Sequence, residues 1–402
     1  MNQKSVKNNI LLIYAYTFAT GLFFDRALWV LFLVERGMNM AQVGLLESLL
    51  HAAILLFEVP TGMVADLYGR RKSMLIGTFV SLFYALFMMI SGNFFTFSLA
   101  FALMGLSVTF KSGASQALLY ETLQASGRES NYTKIAGNET ALLLVSLSIA
   151  QWVGGLMAEL SWTLVYSSII VAQLVAMLLV WLIKEPAPPL PELTDASSSQ
   201  PKRSTIGLWK AQIVDALLVW KKEPSLRKPV VLFVSLVTIM TVVIFYAQEH
   251  LKRQGFSTGE IGFIFMLEAL LSAVAAKLAH RVERKFQFAP LFRSIYLIFL
   301  LLLLLFAAGQ GWIAVLLLYG MGLTSTGLEP IFSNFVQARL SSQVRATFFS
   351  MISLLTSFGI MLIFPLFGAI VDRIGFSYSF MSLAGLLVLM RILTLKRPVS
   401  PS

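Results

Sequence analysis

Twelve long apolar runs follow one another along this chain, and they limit its fold more than any other feature. They cover residues 9–34, 41–66, 73–92, 95–119, 134–159, 162–183, 229–250, 258–281, 288–308, 311–335, 345–371 and 376–395. A helix needs about 20 apolar residues to cross a bilayer core, and each run is long enough. None alternates with the period of a strand, and in lipid a helix satisfies its own backbone groups. Only 13% of the residues are charged, where a soluble chain carries about a quarter. The sequence therefore predicts an all-α membrane protein with twelve transmembrane helices, whose surplus apolar surface faces lipid. The first run follows Lys4 and Lys7. It is too long for a signal-peptide core and lacks a small-residue cleavage site, so it reads as an uncleaved first helix.

Basic residues orient these helices. The chain holds 31 Lys+Arg against 20 Asp+Glu, a net charge of +11. In a soluble protein that balance would suggest nucleic acid; here retained cytoplasmic loops explain it, and no nucleic-acid partner is expected. An even number of crossings puts both termini on one side. With that side cytoplasmic, 24 basic residues fall in cytoplasmic parts, four (Arg36, Lys252, Arg253, Arg373) in external turns and three (Arg26, Lys111, Lys277) within segments. The bias predicts a multi-pass protein of the cell membrane, the inner membrane of a bacterium, with both termini in the cytoplasm. There is no cysteine, and His51, His250 and His280 are scattered without metal-ligand spacing.

Residues 184–228 interrupt the pattern. A proline-rich stretch, Glu185–Pro191, precedes Ser197–Ser199. Beyond it Ile206, Trp209, Ile213, Leu217 and Trp220 recur at helical spacing, fitting either an amphipathic helix on the inner leaflet or a solvated linker helix. The expected organisation is a six-helix half over 1–183, a cytoplasmic linker over 184–228 and a second six-helix half over 229–402. A faint repeat crosses the linker. Gly37 and Gly44 match Gly255 and Gly262, and Gly155–Glu159 matches Gly368–Asp372.

Between segments 2 and 3, Gly62, Asp66, Gly69, Arg70, Arg71 and Lys72 read G-x-x-x-D-x-x-G-R-R-K. The basic cluster would stop transfer by itself, but the glycines and the acid are not needed for that. The motif resembles the loop between helices 2 and 3 of major facilitator superfamily transporters. Two parallel six-helix halves are also the architecture described for that superfamily. The resemblance implies that segments 1, 4, 7 and 10 line a central cavity. It also places Asp66 against the inner end of segment 11, near Arg345 and Thr347, when the protein is open outward. The loop between segments 8 and 9, His280–Lys285, keeps the charge but not the glycines.

No nucleophile elbow, phosphate loop or other catalytic constellation is visible, so the chain does not read as an enzyme. Neither a cofactor nor an ATPase is expected, and pumping would draw on a proton gradient. The informative residues are charges inside the apolar runs: Asp25, Arg26, Glu47, Lys111, Glu139, Glu268 and Glu329. A charge at mid-helix costs at least ~2.5–3.5 kcal/mol, so it pairs or faces water. Asp25 and Arg26 are adjacent and point about 100° apart on a helix. At similar depth, Arg26 and Glu47 would pair and leave Asp25 to the cavity; a fixed ion network locking segments 1 and 2 is the alternative. Lys111 and Glu139 would pair, or Lys111 would snorkel to the surface. Glu268 sits near mid-membrane, protonated or locking the halves. Glu329 precedes Pro330 toward the inner side, and Glu58 near the inner end of segment 2 reads as gate structure.

The 32 Phe and 17 Met suit an adaptable cavity wall or simply face lipid. Two signatures of drug–proton antiporters are incomplete. Segment 5 keeps only Gly154-Gly155 of G-x-x-x-G-P-x-x-G-G, and segment 4 has Phe101 where an arginine is usual, four residues before Gly105. The expected function is secondary active transport, foremost proton-coupled efflux of amphipathic small molecules or drugs by a monomer. Proton-coupled nutrient uptake and lipid or lysolipid translocation are the alternatives, with a non-transporting receptor or scaffold last. Arg26 and Lys111 in the cavity would favour an anionic substrate, Asp25 and Glu329 a cationic one.

Overall fold

A computed structural model describes residues 3–186, 214, 220–221 and 223–395. Apart from isolated positions, the amphipathic helix expected between Ile206 and Trp220 lies outside them. Among the described residues the regular structure is helical throughout, and ten helices are long and apolar enough to cross a membrane.

The first apolar run is not one helix. It divides into α1 (Gln3–Gly21) and α2 (Trp29–Glu35), with a non-helical stretch between them. The next runs follow expectation: α3 (Met40–Tyr68), α4 (Arg70–Ile90), α5 (Phe94–Gln124), α6 (Tyr132–Leu160) and α7 (Trp162–Leu182). After the linker come α8 (Pro224–Arg253), α9 (Thr258–Glu283), α10 (Phe288–Ala308) and α11 (Gly311–Gln337). The last element, α12 (Ser342–Leu395), holds the final two runs and breaks at Gly375, whose φ of 78° suits glycine. Its second limb turns back, so that the Tyr296 hydroxyl of α10 donates to the Leu387 carbonyl at 3.0 Å. All twelve predicted crossings are thus present.

Local chemistry sets the ends. Asn39 and Gln42 form a capping box at the start of α3, and Ser257 and Glu260 form the matching box at the start of α9. The faint sequence repeat thus extends to the caps. Gly69, with φ of 100°, makes the tight turn from α3 into α4.

Helices α1–α7 pack on one another, as do α8–α12. Between the two groups α3 lies on α12 and α6 on α9, and α2 touches α8. The α3–α12 and α6–α9 seams are tight at the face opposite the chain termini. Gly44 abuts the Phe364 carbonyl, where a Cβ would come within 2.5 Å, and Gly368 abuts that of Met40, at 2.1 Å. In the other seam Gly262 meets the backbone of Gln151 and Gly155. Two carboxylates fasten these contacts. Asp372 accepts from the Met40 and Ala41 amides at 3.0 and 2.9 Å. Glu159 accepts from the Gly259 amide at 2.8 Å. Each acid sits at the positive end of a helix in the other group, a favourable place for negative charge.

Candidate functional site: a central cavity at a broken helix

Residues 22–28 form turns rather than a regular helix, so backbone groups at this break need other partners. Local turns satisfy some: the Leu28 and Trp29 amides donate to the Asp25 carbonyl at 2.7 and 2.8 Å. The buried side chain of Gln248, on α8, supplies others. It accepts from the Val30 amide at 3.2 Å and donates to the Arg26 carbonyl at 3.5 Å. Gly154 lets the break approach α6, since a Cβ there would fall 1.8 Å from the Phe24 carbonyl oxygen.

The break forms one wall of a cavity of about 610 Å³. Helices α1 to α6 supply the rest of its lining. Its floor is buried: Asp25, Trp29, Glu47 and Phe101 have little exposure. Toward the face bearing the termini, the lining residues Ser112, Gln116 and Thr140 are exposed. The chamber is therefore closed at the glycine seams and open at the opposite end.

Five of the seven charges singled out in the sequence line this chamber: Asp25, Arg26, Glu47, Lys111 and Glu139. The structure changes their expected partners. Asp25, 2% exposed, accepts from the Tyr84 hydroxyl at 2.6 Å. Arg26 is exposed and stacks over Phe245 at 4.7 Å instead of pairing with Glu47. Glu47 pairs with His51 one turn on, at 3.6 Å. The depth-matching that predicted Arg26–Glu47 assumed a continuous first helix, and the break removes that geometry. Glu139 accepts from Thr17 at 2.9 Å and Ser115 at 3.2 Å, not from Lys111. The Lys111 ammonium lies 5.7 Å from the ring centre of Phe23, in the break, rather than snorkelling to the surface.

The other two candidates lie elsewhere. Glu268 is buried between α9 and α11; it accepts from Ser272 at 2.8 Å and presses on Gly322. Both contacts stay within α8–α12, and neither tests whether Glu268 is protonated or locks the halves. Glu329 is exposed and absent from the cavity lining. It shares a helical stripe with buried Leu318, Gly322 and Ser325. Glu58 on α3 is likewise exposed.

The motif after α3 makes its contacts within the first group. Asp66 pairs with Arg70, and Arg70 reaches Glu121 on α5 at 3.2 Å. Arg71 donates to the Trp181 carbonyl at 2.6 Å, and its amide donates to Glu185 at 3.2 Å. Gly69 crowds the same Glu185 carboxylate, whereas Gly62 has open space around it and makes no close helix approach. Lys72 is exposed at the start of α4. Among the described residues no group of three His, Asp or Glu side chains is placed to hold a metal.

Sequence reasoning missed Tyr84 and Gln248, because an aromatic or an amide in an apolar run carries no mark of its role. His51 was readable: it stands four residues after Glu47, on the same helix face.

Two helical groups that meet along paired seams, with the chamber lined by residues of the first group, define a polytopic helical membrane protein. The chain belongs to the Major Facilitator Superfamily, whose sequence model matches residues 10–355. It is similar to an uncharacterized MFS-type transporter, YxaM, of Bacillus subtilis (strain 168), with 26% identity over 275 residues. That match covers 68% of this chain and 65% of YxaM, so the chain spans just under two thirds of that relative's length. Its fold is similar to the crystal structure of the nucleoside transporter NupG, with a TM-score of 0.77 and 16% identity over 99% of this chain and 100% of that one. It also resembles a bacterial homolog of the human lysosomal transporter Spinster, in an inward-facing and unoccupied conformation. There the TM-score is 0.73 at 15% identity, covering 100% of both chains. At such identities the likeness is one of fold.

Proposed function

We propose that the protein is a secondary active transporter that exports amphipathic small molecules across a bacterial cell membrane by alternating access, in exchange for protons and as a monomer. The observation that carries this reading is the cavity. It is a chamber closed at the seams and open at the terminal face, lined by charges, hydroxyls and aromatic rings of the first group. Its volume suits a drug-sized molecule.

With the termini in the cytoplasm, as the basic residues predict, the chamber faces the cytoplasm and stands ready to load an exported molecule. Helices α1–α7 and α8–α12 act as two bodies that rock about it. The seam contacts break and the motif at Gly62–Lys72 closes the inner side when the chamber opens outward. Asp25 carries the proton in this scheme. It is buried beside an exposed guanidinium and held by one hydroxyl, so its two protonation states can favour different conformations.

The test is transport by the purified protein in sealed vesicles with an imposed pH gradient. An acidic lumen should drive uptake of an amphipathic dye from outside, and Asp25→Asn should abolish that drive while leaving passive exchange. Co-transport of a sugar or nucleoside with protons, without dye exchange, would replace efflux by nutrient uptake. Silence toward every solute under either gradient would end the transporter reading.

A further inference from the structure

The acids and the bases of the cavity are not equivalent. Each acid is already engaged: Asp25 by Tyr84, Glu47 by His51, and Glu139 by Thr17 and Ser115. Asp25 and Glu47 are also buried, at 2% and 4% exposure. The two bases are not engaged in this way. Among the described residues no carboxylate oxygen lies within ion-pairing distance of Arg26 or Lys111. Arg26 rests on Phe245 and is exposed, and Lys111 rests near Phe23. Ring faces attract a cation more weakly than a carboxylate does, and a cation held in a membrane interior normally finds a counter-charge. Glu329, which would have drawn a cation, is not in the lining.

We infer that the chamber is built for an amphipathic organic anion. Its charged group sits between Arg26 and Lys111, and its apolar body lies against Phe23, Trp29, Phe101 and Tyr84. Guanidinium and ammonium groups both donate to carboxylate, sulfonate or phosphate oxygens. The aromatic wall supplies apolar contact area. This assignment rests on the transporter reading and narrows it to a charge class.

Binding can be measured separately from transport. Naphthalene-2-carboxylate, naphthalene-2-methylammonium and naphthalene-2-methanol share one ring system and differ in charge. Each would be titrated by calorimetry onto the full chain in lipid nanodiscs. The carboxylate is expected to bind roughly tenfold or more tighter than either other probe. Arg26→Gln and Lys111→Met should each weaken it by roughly 10- to 100-fold, the range of a lost charged hydrogen bond. Arg26→Lys and Lys111→Arg, which keep the charge and guard against misfolding, should lose less. Preference for the ammonium probe, no carboxylate binding, or equal affinity in the charge-removed and charge-keeping variants would each overturn the anion assignment. Vesicle assays separate the two readings. Proton-driven transport of the ammonium probe would leave the transporter standing and remove the anion. Tight carboxylate binding without transport of any probe would do the reverse.

Discussion

The Tyr84–Asp25 contact shows how one hydroxyl can hold a carboxyl group at the centre of a membrane protein. Tyr84→Phe leaves that group buried without its donor, which should cost about 1–3 kcal/mol. Asp25→Asn keeps an acceptor oxygen and should cost less; thermal unfolding in detergent would rank the two. Glycines separate in the same assay. Gly154→Ala puts a methyl group into the Phe24 carbonyl and should lose about 1–3 kcal/mol, as overpacking does. Gly62→Ala meets open space and should melt like the parent. The sequence marked charges well, because an ionised group in an apolar run is costly wherever it lies; five such residues line one chamber. It did not reveal their partners, which depend on where the backbone bends. Nor did it distinguish Gly62, which is free, from Gly44 and Gly368, which are pressed against backbone.

Among the elements, the first crossing departs most from its sequence pattern. Nothing between Gly21 and Trp29 forbids a helix: the stretch has no proline, and Asp25 and Arg26 are its only charges. The break is a tertiary effect, since the backbone groups it frees are taken up by Gln248 from a helix more than two hundred residues away. Local patterns carry no trace of such a partner. The break at Gly375 was readable, because a glycine there separates two full-length apolar runs. Gln248→Leu removes both long-range bonds to the break and should lower stability by about 1–3 kcal/mol through unpaired groups. Hydrogen exchange should then quicken at Val30 more than along α4 or α10. Uniform exchange across all three would mean that Gln248 does not hold the break.

Across the whole molecule, the repeat visible in the sequence becomes a closure. Gly44, Gly155, Gly262 and Gly368 lie in the two seams, and Glu159 and Asp372 fasten them to helix starts. The motif at the other face, by contrast, spends Asp66 on Arg70 within its own group. In the alternating-access scheme one face must be released when the other is fastened, so these two acids should bias the same equilibrium in opposite directions. A carboxylate at a helix start is worth roughly 0.3–1 kcal/mol when exposed and up to ~2 when partly buried. Asp372→Asn should therefore shift the population away from the conformation seen here by roughly a factor of 2 to 30. Asp66→Asn should shift it further toward that conformation while leaving ligand affinity nearly unchanged. Paired spin labels at Gly37 and Arg373 would report the seam face, and labels at Leu67 and Thr347 the terminal face. For Asp372→Asn the first distance should lengthen as the second shortens; for Asp66→Asn the second should stay long. If both variants moved the two distances in the same direction, the acids would not be opposing latches. A large loss of ligand affinity in Asp66→Asn with unchanged distances would instead make Asp66 a binding residue.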